Sequence, residues 1–145
     1  MTAANPQSPI VGTWRLKAFT EQEVAGAAIS YPMGQHPEAM VIYTADGFAA
    51  TIFTGSNRAA PTAALPSDQE AAELYRSMVA FAGRYEIAGD RLTYIPQVSW
   101  NQVWNNTRQE RRFEVRDDRL YVRSVPFASA LSGKQVVMAM EWERA

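Results

Sequence analysis

The sequence predicts an all-β, mainly antiparallel protein, built as an up-and-down β-barrel with one helix near residues 67–80. Three observations favour this architecture. Apolar and polar side chains mostly alternate, which is the period of a strand that buries one face. Short Gly- or Asp-containing turns separate these runs. About eight or nine such runs fit into the 145 residues, which is enough to close a small barrel.

The predicted strands follow one another along most of the chain. In residues 11–19, Trp14, Leu16 and Ala18 share one face of the first strand, which is therefore predicted to be buried. Asp46-Gly47 joins the next two long runs and is a strong signal for a hairpin. Further strands are predicted at residues 39–44, 48–54, 79–87, 91–98, 107–116, 119–125 and 134–142, with a weaker one near 27–31.

The helix is predicted from a capping signal and a change of period. Ser67 or Asp68 is placed as the N-cap residue, and acidic side chains follow in the first turn. Apolar residues then recur at helical spacing: Ala71, Leu74, Tyr75 and Met78. We expect this helix to lie outside the barrel or across one of its mouths.

Composition excludes several functional classes. The formal charge of −1 gives no basic surface for nucleic acid and no signal for a membrane surface, and no apolar run is long enough to span a membrane. The absence of cysteine excludes disulfides and thiolate metal sites, and the single histidine, His36, has no partners with ligand spacing. We expect a flexible tail over residues 1–9, one domain over 10–145, no metal and a cytoplasmic location.

Several motifs together resemble one protein family. They are Val11-Gly12-Thr13-Trp14-Arg15-Leu16, Tyr31-Pro32-Met33-Gly34, Val41-Ile42-Tyr43-Thr44-Ala45-Asp46-Gly47, Phe81-Ala82-Gly83-Arg84-Tyr85-Glu86 and Glu141-Trp142-Glu143-Arg144. In this order the chain resembles the bacterial and fungal lipocalin-like domain proteins. The resemblance implies a small barrel with a central pocket and, for some members, a place in secondary metabolism.

The chain departs from that family at two neighbouring places. Tyr94-Ile95-Pro96 stands where histidines are typical of the family, so the resemblance does not support histidine-based proton transfer here. The segment that follows is rich in Trp and Asn, with Trp100 and Trp104 at its centre.

At the two ends of the chain, Trp14 and Arg144 are predicted to form a structural contact, because stacking a guanidinium on a large ring stabilises the fold by about 0.5–2 kcal/mol.

One strand carries the main polar anomaly. Period two places Gln109, Arg111, Phe113 and Val115 on one face, and Arg108, Glu110, Arg112 and Glu114 on the other. The second set is fully charged and is predicted to face water. Arg111 then faces the interior, where it needs a partner. Either an inward glutamate such as Glu86 or Glu141 holds it, or it binds a ligand.

Two functions remain open. The first is a module that binds a small hydrophobic molecule, with Gln109 and Arg111 orienting one polar end of it. The second is a cofactor-independent isomerase, cyclase, dehydratase or lyase, with Tyr85, Tyr94 and Arg111 as catalytic groups and the pKa of a phenol lowered by the nearby cation.

The sequence leaves open whether the protein forms a homodimer. The expected lining residues are Met33, Met40, Phe53, Phe81, Tyr85, Val98, Trp100, Trp104, Gln109, Arg111, Phe113, Met138 and Met140.

Overall fold

A computed structural model describes residues 8–26 and 28–145, so most of the tail expected over residues 1–9 lies outside the described residues. The described chain contains one α-helix, α1 (Asp68–Arg76), and a 3-10 turn at Gln102–Trp104. Its strands are β1 (Gly12–Glu23), β2 (Ile29–Ser30), β3 (Glu38–Tyr43), β4 (Phe48–Thr54), β5 (Met78–Ala88), β6 (Arg91–Ser99), β7 (Gln109–Arg116), β8 (Arg119–Ser124), β9 (Phe127–Ala128) and β10 (Gln135–Arg144).

Eight of these strands form a closed antiparallel barrel, which confirms the predicted fold class. Neighbouring strands pair in the order β1-β3-β4-β5-β6-β7-β8-β10, and β10 returns to pair with β1. The residues 12–15 of β1 pair with β3, whereas residues 14–23 pair with β10. β1 is therefore the strand that closes the ring. The two-residue strands β2 and β9 extend the ladder beside β1 and β10.

Trp14 fills one end of the barrel. Its side chain is fully buried, and its indole Nε1 donates to the carbonyl oxygen of Ile10 at 2.9 Å. The Arg144 guanidinium lies 4.2 Å from the centre of the Trp14 ring and donates to the carbonyl oxygens of Pro9 and Val11. The predicted contact between the two ends of the chain is confirmed, and it closes this end of the barrel.

Helix α1 begins where the capping signal places it and ends earlier than predicted. The Ser67 hydroxyl accepts from the Glu70 backbone N–H at 3.2 Å, and the Glu70 carboxylate accepts from the Ser67 N–H at 2.9 Å. The prediction that the helix continues to residue 80 is wrong, because Met78 already pairs with Thr54 in the barrel. None of the helical residues is buried, and no helix in the described chain is long and apolar enough to cross a membrane.

Two β-bulges change which side chains face the interior. In β1 the register with β10 shifts between Leu16 and Ala18, so Phe19 is buried and Ala18 is exposed, contrary to the simple alternation expected. A second shift separates the pairs Ala82–Val98 and Gly83–Pro96 on β5 and β6. There a Cβ atom on Gly83 would lie 2.2 Å from the Ile95 carbonyl oxygen, so this close approach requires glycine.

Replacing Trp14 with alanine tests whether this end of the barrel is structural. We expect the free energy of unfolding to fall by about 3–5 kcal/mol, since a large buried ring is removed and a cavity remains. Urea denaturation measures the change. Val103→Ala, at an exposed position in the 3-10 turn, is the control and is expected to unfold like the parent. A Trp14→Ala variant as stable as the parent would contradict the assigned role.

Candidate functional site

An interior cavity lies toward the end of the barrel opposite Trp14. It contains about 590 Å³ of space between atoms, counting the part that opens to solvent. Its walls are mainly apolar and come from every long strand except β8, together with loops at this end of the barrel. The polar groups on its wall are fewer: Glu21, Thr51, Tyr94, Arg111 and Ser129. A mostly apolar cavity with a few polar groups is typical of a small-molecule site.

The structure brings many of the sequence-predicted residues together around this cavity. Strand alternation turns their side chains inward on β4, β5, β6, β7 and β10, and Trp104 reaches the cavity from the 3-10 turn. The predicted residues on the wall are Met33, Phe53, Phe81, Tyr94, Trp104, Arg111, Met138 and Met140.

Two expected lining residues lie on the outer surface instead. Met40 is 40% exposed, because Val41 and Tyr43 occupy the buried face of β3 and leave Met40 on the opposite face. Val98 is 69% exposed, because the bulge between β5 and β6 pairs it with Ala82 and reverses its facing relative to Pro96. Neither side chain touches the cavity, so both expectations are corrected.

Four other expected residues lie away from the cavity wall without being on the outer face. The Tyr85 hydroxyl donates to the Thr44 carbonyl oxygen at 2.7 Å, toward the end of the barrel that Trp14 fills. Gln109 donates to the Thr107 hydroxyl at 2.7 Å. Phe113 packs against the apolar core. The Trp100 ring packs against Trp104, with 5.0 Å between centroids, so Trp100 supports a wall residue from behind.

Arg111 is the cation of the cavity. Its side chain projects from β7 with only 3% of the residue exposed, as the alternation of that strand predicts. The Nη1 atom donates to the Glu110 carbonyl oxygen at 2.9 Å, and the guanidinium lies 5.3 Å from the centre of the Phe127 ring. Burial lowers the pKa of Arg111, yet a guanidinium keeps its charge in proteins.

Arg111 has no carboxylate partner among the described residues. The glutamates considered as its partners bind elsewhere: Glu86 pairs with Arg108 at 2.7 Å, and Glu141 pairs with Arg119 at 2.7 Å. In the described chain, two buried side-chain nitrogens have no hydrogen-bond partner, Nε of Arg111 and Nε1 of Trp142. Both residues contribute atoms to the cavity wall.

A pair of buried phenols lies near Arg111. The hydroxyls of Tyr43 and Tyr94 are hydrogen-bonded to each other, and Tyr94 lines the cavity. Burial raises the pKa of Tyr94 to about 12 and that of Tyr43 well above its ordinary value. Both hydroxyls are protonated at neutral pH. Burial also raises the pKa of Tyr85, the phenol expected to be acidified beside Arg111, to about 12, so the expectation of a lowered pKa is corrected.

Glu21 is a cavity residue that the sequence analysis missed. Only 2% of it is exposed, and its carboxyl group accepts from the Ser129 hydroxyl. Desolvation raises the pKa of Glu21, while the Ser129 hydrogen bond opposes that effect in part. The first strand was predicted to end at Phe19, whereas β1 continues to Glu23. Extending the predicted alternation, with Trp14, Leu16 and Ala18 inside, would still have placed Glu21 outside, because only the bulge between Leu16 and Ala18 turns Phe19 and Glu21 inward.

Comparison with known proteins gives one family. A family model described as a lipocalin-like domain matches residues 11–145, and this range contains all eight strands of the barrel together with every residue named on the cavity wall. No curated protein matches the chain.

The raised pKa of Glu21 predicts a pH-dependent cost of folding. In the unfolded chain the Glu21 carboxyl group loses its proton at the ordinary pKa of a glutamic acid, about 4.3. In the folded protein it loses the proton at higher pH. The Glu21 contribution to the free energy of unfolding therefore falls as pH rises through that interval. Glu21→Gln removes the titratable carboxyl group. We therefore expect this variant to become more stable relative to the parent as pH rises through that interval.

Urea denaturation of parent and variant between about pH 4 and pH 8 measures this difference. Glu143→Gln is the control, because Glu143 forms an exposed pair with Lys17 on the outside of the barrel. A difference between parent and Glu21→Gln that stays constant over this range would contradict the raised pKa.

Proposed function

The chain belongs to the lipocalin-like domain family, and we propose that it binds a small, mainly apolar molecule in the barrel cavity. The fold of the family suggests a small-molecule-binding domain. In this proposal Arg111 orients one end of the ligand, which carries a hydrogen-bond acceptor such as a carboxylate or a carbonyl.

The Arg111 guanidinium, which has no carboxylate partner among the described residues, is the observation that carries the proposal. Burying a charge is costly unless a counter-charge or hydrogen bonds compensate it. Here one backbone carbonyl and one aromatic ring surround the guanidinium, and Nε has no acceptor within the described chain. A ligand carboxylate would supply both the acceptor and the opposite charge. Because such charge-assisted hydrogen bonds are strong, a carboxylate is favoured over a carbonyl as the polar end of the ligand.

The rest of the cavity supports an apolar body for the ligand. Phe53 and Phe81 offer flat aromatic surfaces, and Met138 and Met140 offer flexible thioethers that adapt to different shapes. Trp142 also lines the cavity, and its buried indole N–H has no acceptor among the described residues. Residues 10–145 are the proposed binding domain, and secondary metabolism is the proposed setting on the strength of the family resemblance.

A cofactor-independent enzyme is the alternative, and Tyr94 is the observation that favours it. A protonated phenol beside a guanidinium can donate a proton or a hydrogen bond to a carbonyl oxygen, which is what isomerisation, cyclisation, dehydration or lyase chemistry needs. Tyr94 and Arg111 are the proposed catalytic residues. Tyr85 is dropped from that set, because its hydroxyl is bound to Thr44 away from the cavity.

Native mass spectrometry of the protein purified from its own cells separates the two functions. A binding protein is expected to release the same compound after prolonged incubation. An enzyme is expected to convert that compound, and Tyr94→Phe would slow the conversion while the compound still binds.

Arg111→Met tests the proposed orientation of the ligand. The substitution keeps an apolar stem of similar length and removes the charge. With decanoate as the probe, we expect the Kd measured by calorimetry to rise by about tenfold to a hundredfold, the range for losing a charged hydrogen bond. The affinity for decan-1-ol, which carries no anion, is expected to change little.

Arg112→Met is the matched control on the next residue of β7. Arg112 is exposed and pairs with Asp90 at 2.8 Å outside the barrel, so its loss should leave decanoate binding unchanged. Equal losses in the two variants would contradict the inward orientation of Arg111 and with it the proposal.

A further inference from the structure

We infer that Glu21 and Ser129 form a second polar subsite in the cavity, which binds a hydrogen-bond-donating group of the ligand. The inference rests on the proposed function and makes it more specific. The ligand class is an apolar molecule with an acceptor at one end, for Arg111, and a hydroxyl or protonated amine at a second position, for Glu21.

The two residues of this subsite come from distant parts of the chain. Glu21 lies on β1 beyond its bulge, and Ser129 follows β9 in the loop that leads to β10. Both side chains are buried, and both line the cavity that contains Arg111. The sheet and the loop thus place a carboxyl group on the same cavity as the guanidinium.

The hydrogen bonds around Ser129 show how little of the Glu21 carboxyl is used. The Ser129 hydroxyl lies 3.0 and 2.8 Å from the two carboxyl oxygens and accepts from the backbone N–H groups of Leu131 and Ser132. A hydroxyl has one proton, and the two N–H groups occupy its acceptor side, so it donates to Glu21. A carboxylate has about four acceptor sites. One proton is shared between its oxygens, which leaves acceptor capacity toward the cavity.

No cation compensates Glu21 within the described ranges. The nearby lysine of the β9–β10 loop, Lys134, pairs with Glu23 at 2.6 Å. Arg111 shares the cavity without forming an ion pair with Glu21, and Tyr94 is the other ionisable group on the wall. Desolvation accordingly raises the pKa of Glu21. Either a hydroxyl or an ammonium group on the ligand would donate to the carboxyl and relieve this cost.

Anchoring the loop explains Ser129 and leaves the choice of a glutamate unexplained. A glutamine at position 21 could accept from the Ser129 hydroxyl through its amide oxygen and would bury no charge. A carboxyl group in this place is costly to the folded protein. Recognition of a donor group gives that costly side chain a use, because the hydrogen bond to a carboxylate is stronger than one to an amide.

Pairs of probes that differ by one terminal group test the subsite. The probes are straight-chain acids of six, eight and ten carbons, each with a terminal methyl, hydroxyl or ammonium group, and binding is measured by calorimetry. At the chain length that spans the two sites, we expect the hydroxyl or the ammonium form to bind about tenfold tighter than the methyl form. The form that gains more identifies which donor the subsite takes.

Two variants of Glu21 connect that gain to the carboxyl group. In Glu21→Leu the advantage of both donor groups is expected to disappear, leaving the methyl form as the tightest. Glu21→Gln keeps the size and an acceptor oxygen, so it serves if the leucine variant does not fold, and it is expected to lose the advantage of the ammonium form by about tenfold. Glu143→Leu, on the outer surface, is the matched control and should bind all probes like the parent.

Octan-1-ol separates this inference from the proposed function, because it carries no acceptor for Arg111 that bears a charge. Weaker binding of octan-1-ol to Glu21→Leu than to the parent supports the subsite. This holds even if decanoate binds the parent and Arg111→Met equally well, a result that would contradict only the proposed orientation by Arg111. If neither the alcohol nor the terminal donor groups bind better in the parent than in Glu21→Leu, the subsite is overturned.

Discussion

The pairing of β1 on both of its edges is the constraint on which the rest of the structure depends. Residues 12–15 pair with β3, and residues 14–23 pair with β10, so one strand joins the two ends of the sheet. Closure removes the sheet edges and separates the inward side chains from water. Trp14, with Arg144 stacked on its ring, fills one end of the enclosed space. A cavity remains toward the other end, and every polar group on its wall is desolvated by the same ring of strands.

Desolvation gives those polar groups their chemical character. Arg111 stays charged without a carboxylate partner among the described residues, Tyr94 keeps its proton with a pKa of about 12, and Glu21 has a raised pKa. An environment of this kind strengthens any hydrogen bond that a ligand makes and penalises each one left unmade. In the proposed function, the apolar surface favours binding in general, and the separate donor and acceptor groups select the ligand. Under the same proposal, two polar positions on one apolar cavity fix which way a long molecule lies.

Sequence periodicity predicted the parts of this structure that follow local rules. The alternation of apolar and polar residues was sufficient to predict the strands and to place Arg111 inside and Arg112 outside the barrel. The Ser67 capping signal was sufficient to predict where the helix begins. Alternation failed where a bulge inserts one residue, because every side chain beyond it then changes face; Ala18, Glu21 and Val98 were misplaced or missed for this reason. Period two also does not show where the polar tip of an inward side chain points, so it could not distinguish Tyr94, which lines the cavity, from its cross-strand neighbour Tyr85, whose hydroxyl donates to Thr44.

A crystal structure of the protein with decanoate tests the central claim most directly. The account predicts density for the alkyl chain between the aromatic and methionine side chains of the cavity, with a carboxylate oxygen about 2.7–3.2 Å from a guanidinium nitrogen of Arg111. Decanoate bound in the cavity with its carboxylate toward solvent, or bound only on the outer surface of the barrel, would contradict the claim that the buried guanidinium orients the ligand.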